Sequence, residues 1–287
     1  MTFSSFILLA ATAQWAPASA QNAQVISILV LYTDKASVEL ERRGRRIEDE
    51  IAFIGHMQNR IFASSGARAQ VTVKAQPWNE FNEDSHVLAH LRCDPSSLNC
   101  MDTNLQVPLL DMIAKKTSSG GEFSIGKHRK QASADLDSLR LWRGGWDTLG
   151  GAGSRLIKAD LAAGPAAAAG RAYLSLIAVE KAWLWWHFAH EIGPNFGLGD
   201  DGHDADELIE RDGFGHVDTA FPFRTVMAGD GACNKAGFAA CLRIPLYSNV
   251  DPAVTYLGFP IGKPGYNEAA TINKTASFVA QYSDHLP

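Results

Sequence analysis

The run HEIGPNFGLGDD, from His190 to Asp201, constrains the fold of this chain more than any other stretch. The preceding segment is apolar and rich in tryptophan, and it predicts a helix that begins near Lys181 and carries His190 and Glu191. Gly197 then predicts a sharp turn, because glycine adopts left-handed backbone angles without steric strain. A histidine and an acid therefore stand where a helix meets a turn.

The spacing within this run is that of a zinc-hydrolase helix, with two departures. In such a helix a second histidine stands four residues after the first, and the glutamate accepts a proton from the metal-bound water. A third ligand follows the glycine turn. Here Pro194 stands at the second ligand position and Asp200 at the third. Proline offers zinc no donor and costs about 3 kcal/mol inside a helix, whereas a carboxylate can bind zinc.

Two nearby histidines are candidate substitutes for the missing ligands. His187 precedes His190 by three residues, so both imidazoles could reach one ion from one helix face. His203 follows the glycine turn and could complete a set with His190 and Asp200. The alternative for His187 is a helix residue packed among tryptophans, and for His203 a solvated loop residue.

Other potential metal ligands lie outside this run. His86 and His90 could share a helix face, but no third ligand lies nearby and zinc sites use at least three protein groups. The four cysteines form two close pairs: Cys93 with Cys100, and Cys233 with Cys241. We predict two local disulfides, because neither pair has the C-x-x-C spacing of a zinc knuckle.

Composition narrows the partners and the location of the protein. The formal charge of −5 and the pI near 6.0 provide no basic field for nucleic acid or an anionic membrane, so neither partner is expected. The apolar run Phe6–Ala11 and the small residues Ala18 to Ala20 predict a signal peptide over residues 1–20, although an ordinary apolar N-terminal segment is the alternative. No later run reaches the ~20 apolar residues of a membrane span. We expect a secreted or periplasmic protein.

Hydrophobic periodicity predicts an α/β fold. The predicted strands cover residues 25–32, 70–75, 134–142 and 173–179, and the predicted helices cover 47–61, ended by Gly66, 107–116, the segment from Lys181, and 268–282. Residues 144–170 are predicted to be loop, as is most of the chain after Gly202. This order predicts an N-terminal α/β subdomain over 21–198, an irregular C-terminal subdomain over 199–287, and a cleft between them.

Several further motifs resemble one family of proteins. They are His190-Glu191-Ile192-Gly193, Asn195-Phe196-Gly197, Phe223-Arg224-Thr225-Val226-Met227-Ala228, Tyr247-Ser248-Asn249, and Val254-Thr255-Tyr256 with Gly258, Pro260 and Gly262. Together they resemble the metzincin zinc metalloendopeptidases, in particular the reprolysin-like bacterial enzymes of the peptidyl-Asp type. The resemblance covers most of the chain from Ile28 onward.

The resemblance implies a metzincin α/β catalytic domain, with a mixed, mostly parallel twisted sheet crossed by the active-site helix. It also implies that the domain binds one zinc ion and hydrolyses peptide bonds. It would make Glu191 the general base, His190 and Asp200 the retained ligands, and Met227 the floor of the metal site. Both substituted positions are histidine in that family. A second hypothesis is therefore a catalytically inactive relative that binds peptides or a protein partner. A monomer is expected in either case.

Overall fold

The computed structural model describes residues 23–81, 83, 125–142, 151–171, 173–178, 186–200, 205–206 and 208–286. The predicted signal peptide, His86, His90, Cys93, Cys100, the predicted helix 107–116 and His203 all lie outside the described residues.

A five-stranded sheet forms the centre of the described chain. Its strands are β1 (Gln24–Tyr32), β2 (Ala69–Pro77), β3 (Leu136–Leu141), β4 (Gly151–Gly153) and β5 (Leu174–Ala178). They lie in the order β2-β1-β3-β5-β4, and only β4 is antiparallel to its neighbour. The predicted mixed, mostly parallel sheet is confirmed, and the buried apolar run of β1 lies between β2 and β3.

The described helices are α1 (Asp34–Glu41), α2 (Ile47–Ser64), α3 (Ile125–Ala132), α4 (Lys158–Ala163), α5 (Pro165–Ala169), α6 (Trp186–Ile192), α7 (Asp230–Lys235) and α8 (Glu268–Val279). The predictions of α2 and α8 are confirmed, and Gly66, with a φ of +74°, ends the first of them as expected. The sequence analysis missed α1, which begins where the Thr33 hydroxyl accepts a hydrogen bond from the Ala36 N–H.

The prediction that residues 144–170 form a loop is wrong. The described part of this segment contains β4, α4 and α5. Strand β4 consists only of Gly, Ala and Gly, so it has no apolar alternation, and its pairing with β5 defines it instead. Helix α5 follows Gly164 and has Pro165 at its first position, where a missing N–H costs little.

The C-terminal part is irregular, as predicted, but it is not separate from the sheet. Helix α8 packs against β1, β2 and the 3-10 turn Pro194–Phe196. The short pairs β6 (Phe223–Arg224) with β7 (Leu242–Arg243), and β8 (Thr255–Tyr256) with β9 (Phe259–Pro260), surround a small second core. The predicted disulfide Cys233–Cys241 is confirmed, and it joins α7 to the residue before β7. In the described chain, no helix has the length and apolar character needed to cross a bilayer.

Candidate functional site

Helix α6 ends earlier than a zinc-binding helix would. Its last residue is Ile192, and the Gly193 N–H donates to the His190 carbonyl at 3.1 Å in a tightened final turn. Pro194 then begins the 3-10 turn, and Gly197 follows with a φ of +87°. Pro194 therefore lies at the start of a new turn rather than inside a helix, where its missing N–H removes no helical hydrogen bond.

His190 is held by the segment that carries Met227. Its Nδ1 lies 2.9 Å from the Val226 carbonyl oxygen, so Nδ1–H donates and Nε2 is left as the other ring nitrogen. Loss of hydration and, as a smaller effect, the positive charge of Arg243 together lower the pKa of His190 to about 4. The imidazole is therefore neutral near pH 7.

Glu191 is buried beside it, with 7% of its surface exposed. Burial raises the pKa of Glu191 to about 8, a value that also includes a lowering by the Arg243 charge and a smaller rise from the Asp200 carboxylate. Its carboxyl is therefore largely protonated near neutral pH. Asp200 acts on the pKa of both His190 and Glu191, so the fold brings these three predicted site residues together.

Met227 lies directly beneath the end of α6. Its side chain is 1% exposed, and a Cβ atom added at Gly193 would overlap its sulfur. A larger residue at this position would have to displace the methionine side chain. The resemblance to metzincins implied that Met227 forms the floor of the site, and in the structure it lies under the turn that follows His190 and Glu191.

Arg243 is the site residue that the sequence analysis missed. It lies on β7, paired in parallel with β6, and its Nη2 donates to the Ala228 carbonyl at 3.4 Å. Its charge affects the pKa of both His190 and Glu191. No local pattern could reveal this arginine, because more than fifty positions separate it from Glu191 and only the fold of the C-terminal part brings them close.

The donor set tests whether this site suits a zinc ion. His190 supplies one imidazole and Asp200 one carboxylate, but Pro194 supplies nothing. No group of three or more His, Cys, Asp or Glu side chains with metal-binding spacing occurs among the described residues, a set that includes His187 but not His203. The positive charge of Arg243 beside His190 would also repel a cation. Among the described residues, His190 and Asp200 are therefore the only donors at the positions that the resemblance assigns to zinc ligands.

Tyr247 anchors α6 from below. Its hydroxyl donates to the Ala189 carbonyl at 2.7 Å and accepts from the Gln58 side-chain amide at 3.3 Å. Its ring stacks on Phe62 with the centroids 5.6 Å apart. Burial raises the pKa of Tyr247 well above its usual range, so the hydroxyl stays a donor. The two hydrogen bonds of the Tyr247 hydroxyl therefore connect α2 and α6 to the C-terminal segment that carries Tyr247.

Glu268 supports the segment on which Met227 lies. Its side chain is fully buried and accepts hydrogen bonds from the Ser248 N–H at 2.6 Å and from the Thr225 hydroxyl at 3.4 Å. The Thr225 hydroxyl in turn accepts from the His216 N–H at 2.8 Å. Burial raises the pKa of Glu268 to about 8, with the hydrogen bonds from Ser248 and Thr225 opposing the rise.

The raised pKa of Glu268 makes stability depend on pH. Because the folded pKa exceeds the unfolded value, this group stabilises the fold fully below about pH 4.5, and the stabilisation is lost as pH rises through about 8. We expect Glu268→Gln, which cannot titrate, to reduce the loss of unfolding free energy between pH 5 and pH 8 by about 3 kcal/mol. Urea denaturation at several pH values measures this. Equal pH slopes in the two proteins would contradict it.

The antiparallel strand β4 lies against the end of α6. The Leu156 N–H donates to the Pro194 carbonyl at 3.0 Å, and the Asn195 side-chain amide donates to the Ser154 carbonyl at 2.7 Å. A Cβ atom added at Gly153 would overlap the Glu191 carbonyl oxygen. The sheet order makes β4 an edge strand, so a strand edge runs beside His190 and Glu191.

Comparison with known proteins supports the fold alone. No family model matches the chain, and no curated protein matches it. A solved structure described as that of a chaperone-substrate complex is similar, with a TM-score of 0.57 and 15% sequence identity. The match covers 91% of this chain and 35% of that one, so the chain spans about a third of the length of that structure. Fold and site together define an α/β domain with a mostly parallel sheet. The edge strand β4 of the described sheet lies beside His190 and Glu191, near the end of α6.

Proposed function

We propose that this chain has a metzincin-type peptidase scaffold that binds extended peptides beside α6 without zinc-dependent hydrolysis. The proposal rests on the side chains at the site, which disfavour a bound metal ion. Pro194 stands where the second ligand belongs, and the charge of Arg243 acts on His190 and Glu191. A cationic side chain and a missing donor both disfavour a bound cation.

The arrangement of the scaffold supports the metzincin assignment. The sheet has one antiparallel strand at its edge, and the helix with His190 and Glu191 packs on β4 and β5. Met227 lies beneath the glycine that follows this helix. The resemblance to metzincins implies that His190 and Glu191 lie on an active-site helix and that Met227 forms the floor of the site, and this arrangement agrees with both expectations.

Among the described strands, β4 pairs on one side only, and this supports peptide binding. The Ser154 N–H donates to the Leu174 carbonyl at 2.8 Å, so this residue points its backbone groups toward β5. In an antiparallel pair the direction alternates, and Gly151 and Gly153 therefore point theirs away from the sheet. An unpaired edge can accept an extended peptide as an added strand.

A second candidate function is peptide hydrolysis with a rearranged zinc site. It is favoured by one observation: His190 uses Nδ1 to bond the Val226 carbonyl, which orients Nε2 as metal-binding histidines require. This candidate needs His190 and Asp200 together with His203, which lies outside the described residues. Metal content distinguishes it from the first proposal.

The experiment combines zinc content with peptide binding. After incubation with zinc and gel filtration, we expect below about one tenth of an ion per chain and no cleavage of casein. In fluorescence anisotropy with a library of extended peptides, Gly151→Pro should weaken binding about tenfold or more, because it removes an outward N–H. Gly151→Ala keeps that N–H and is the matched control.

The possible results separate the candidates. Stoichiometric zinc with casein cleavage that Glu191→Gln abolishes would replace the first proposal by the second. Peptide binding that is equally affected by Gly151→Pro and Gly151→Ala would contradict the use of the β4 edge. Absence of both peptide binding and zinc would contradict both candidates.

A further inference from the structure

A disulfide lies next to the strand that brings Arg243 to the candidate site. It joins Cys233, on α7, to Cys241, the residue directly before β7. Strand β7 consists of Leu242 and Arg243, and the charge of Arg243 acts on the pKa of both ionisable groups at the end of α6. The arginine therefore follows a covalent cross-link by two positions.

Strand β7 is short, and its first residue buries little surface. The Leu242 side chain is 55% exposed, and its N–H donates to the Pro222 carbonyl at 2.9 Å. The next residue after the strand, Ile244, is buried in the small second core, and its N–H donates to the Arg224 carbonyl at 2.8 Å. Firm burial of the chain therefore begins at Ile244, after the residue that reaches the site.

Helix α7 provides the fixed end of the cross-link. Cys233 is 1% exposed, and its carbonyl accepts from the Phe238 N–H at 3.1 Å. Asp230, the first residue of α7, also pairs with Arg224 on β6, but an ion pair whose aspartate is 84% exposed contributes little. The disulfide is therefore the strong described link between α7 and the start of β7.

The two sulfur atoms differ in their access to solvent. Cys241 is half-buried and follows two exposed alanines, Ala239 and Ala240, whereas Cys233 is buried. Thiol–disulfide exchange requires a thiolate to reach one sulfur of the bond. A small thiol can therefore attack at Cys241, and the buried sulfur of Cys233 becomes the leaving group.

We propose that the Cys233–Cys241 disulfide is a redox-sensitive tether that holds Arg243 at the candidate site and releases it on reduction by a dithiol. A thiolate of the dithiol attacks the Cys241 sulfur, and the Cys233 sulfur leaves and takes up a proton. The second thiol of the reductant then displaces Cys241 as a thiol. The chain gains two electrons and two protons, and the dithiol becomes a disulfide.

Reduction would change the site without unfolding the second core. The freed segment would end at Ile244, whose side chain stays buried and serves as the hinge, and the positive charge of Arg243 would move away from His190 and Glu191. Any effect of this movement on bound peptides rests on the proposed function. The movement itself is measured without a peptide, so the two proposals can fail separately.

Hydrogen exchange and limited proteolysis of the full chain test the tether. We expect dithiothreitol to speed exchange of the Leu242 amide about tenfold or more, because this amide is protected only while β7 is paired. The Leu29 amide, in the buried middle of β1, should exchange at an unchanged rate. Trypsin should cleave after Arg243 about tenfold faster in the reduced chain, since cleavage follows the population of the released strand.

Two double variants assign the effect to this cysteine pair. Cys233→Ser with Cys241→Ser should behave as the reduced chain in either buffer and should not respond to dithiothreitol. Cys93→Ser with Cys100→Ser, at the other predicted pair, should keep the full response and yield two thiols on reduction. The second variant retains the tether, so it keeps the test decisive if the first does not fold.

Three results would overturn the proposal. Equal exchange at Leu242 and equal cleavage after Arg243 in the oxidised and reduced chains would show that other contacts hold β7. Acceleration of the Leu29 amide to the same extent would show that reduction unfolds the whole chain. A response that persists in the Cys233→Ser, Cys241→Ser chain would assign the effect to the other cysteines.

Discussion

Replacing both Pro194 and Asp200 by histidine is expected to give a chain that holds about one zinc ion and cleaves casein. The natural chain should hold less than about a tenth of an ion under the same conditions. A histidine at 194 restores an N–H that can donate to the His190 carbonyl, so α6 can extend by a turn and place two imidazoles on one face. The gain in zinc affinity should be at least about a thousandfold, measured by competition with a chelating dye.

Two additional changes separate metal binding from catalysis. Glu191→Gln in the double-histidine chain should keep the zinc and lose the cleavage, because a neutral amide cannot accept the proton of a bound water. Arg243→Gln in the same background should tighten zinc binding about tenfold, since it removes a repelling charge near His190. A folded double-histidine chain that binds no zinc would show that the departure from the peptidase pattern extends beyond the two ligand positions.

Gly153→Ala is expected to destabilise the fold by about 3 kcal/mol. The new Cβ would overlap the Glu191 carbonyl oxygen and come within 3.3 Å of its carbonyl carbon, and both are backbone atoms that cannot rotate away. Either β4 or the end of α6 must move. We expect a lower urea midpoint, and we expect weaker peptide binding if β4 is the part that shifts.

Gly170→Ala is the matched control for this change. It lies at the end of α5 with a φ of −84°, and the nearest atom to an added Cβ is the Ala167 carbonyl oxygen at 3.7 Å. Alanine fits there without strain, so the unfolding free energy should change by no more than about 1 kcal/mol and should rise if anything. A Gly153→Ala chain as stable as Gly170→Ala would contradict the close approach of β4 to α6.

The strands and helices that the sequence predicted are those whose signal is local. The apolar run of β1, the alternation of β2 and the spacing of isoleucines in α2 each repeat within a few residues. Gly66 and Gly197 marked turns because both adopt a positive φ. The Cys233–Cys241 bond was predictable for the same reason, since its partners lie eight positions apart.

Strand β4 could not be predicted, because Gly-Ala-Gly carries no pattern and is a strand only through its pairing with β5. The early end of α6 was also missed. Pro194 indicated that the second ligand was absent, but the sequence could not show that the chain enters a 3-10 turn at this residue. The hydrogen bond from the Leu156 N–H to the Pro194 carbonyl supports that turn.

By itself, the sequence determined the α/β order of the elements, the helix-turn setting of His190 and Glu191, and the absence of a donor at Pro194. Only the tertiary structure decided what surrounds these groups. Arg243 comes close to His190 and Glu191, and Glu268 supports the segment that carries Met227, through contacts between distant parts of the chain. Hydration, charge and hydrogen bonding act over a few ångströms in space, whereas a sequence pattern reports only neighbours along the chain.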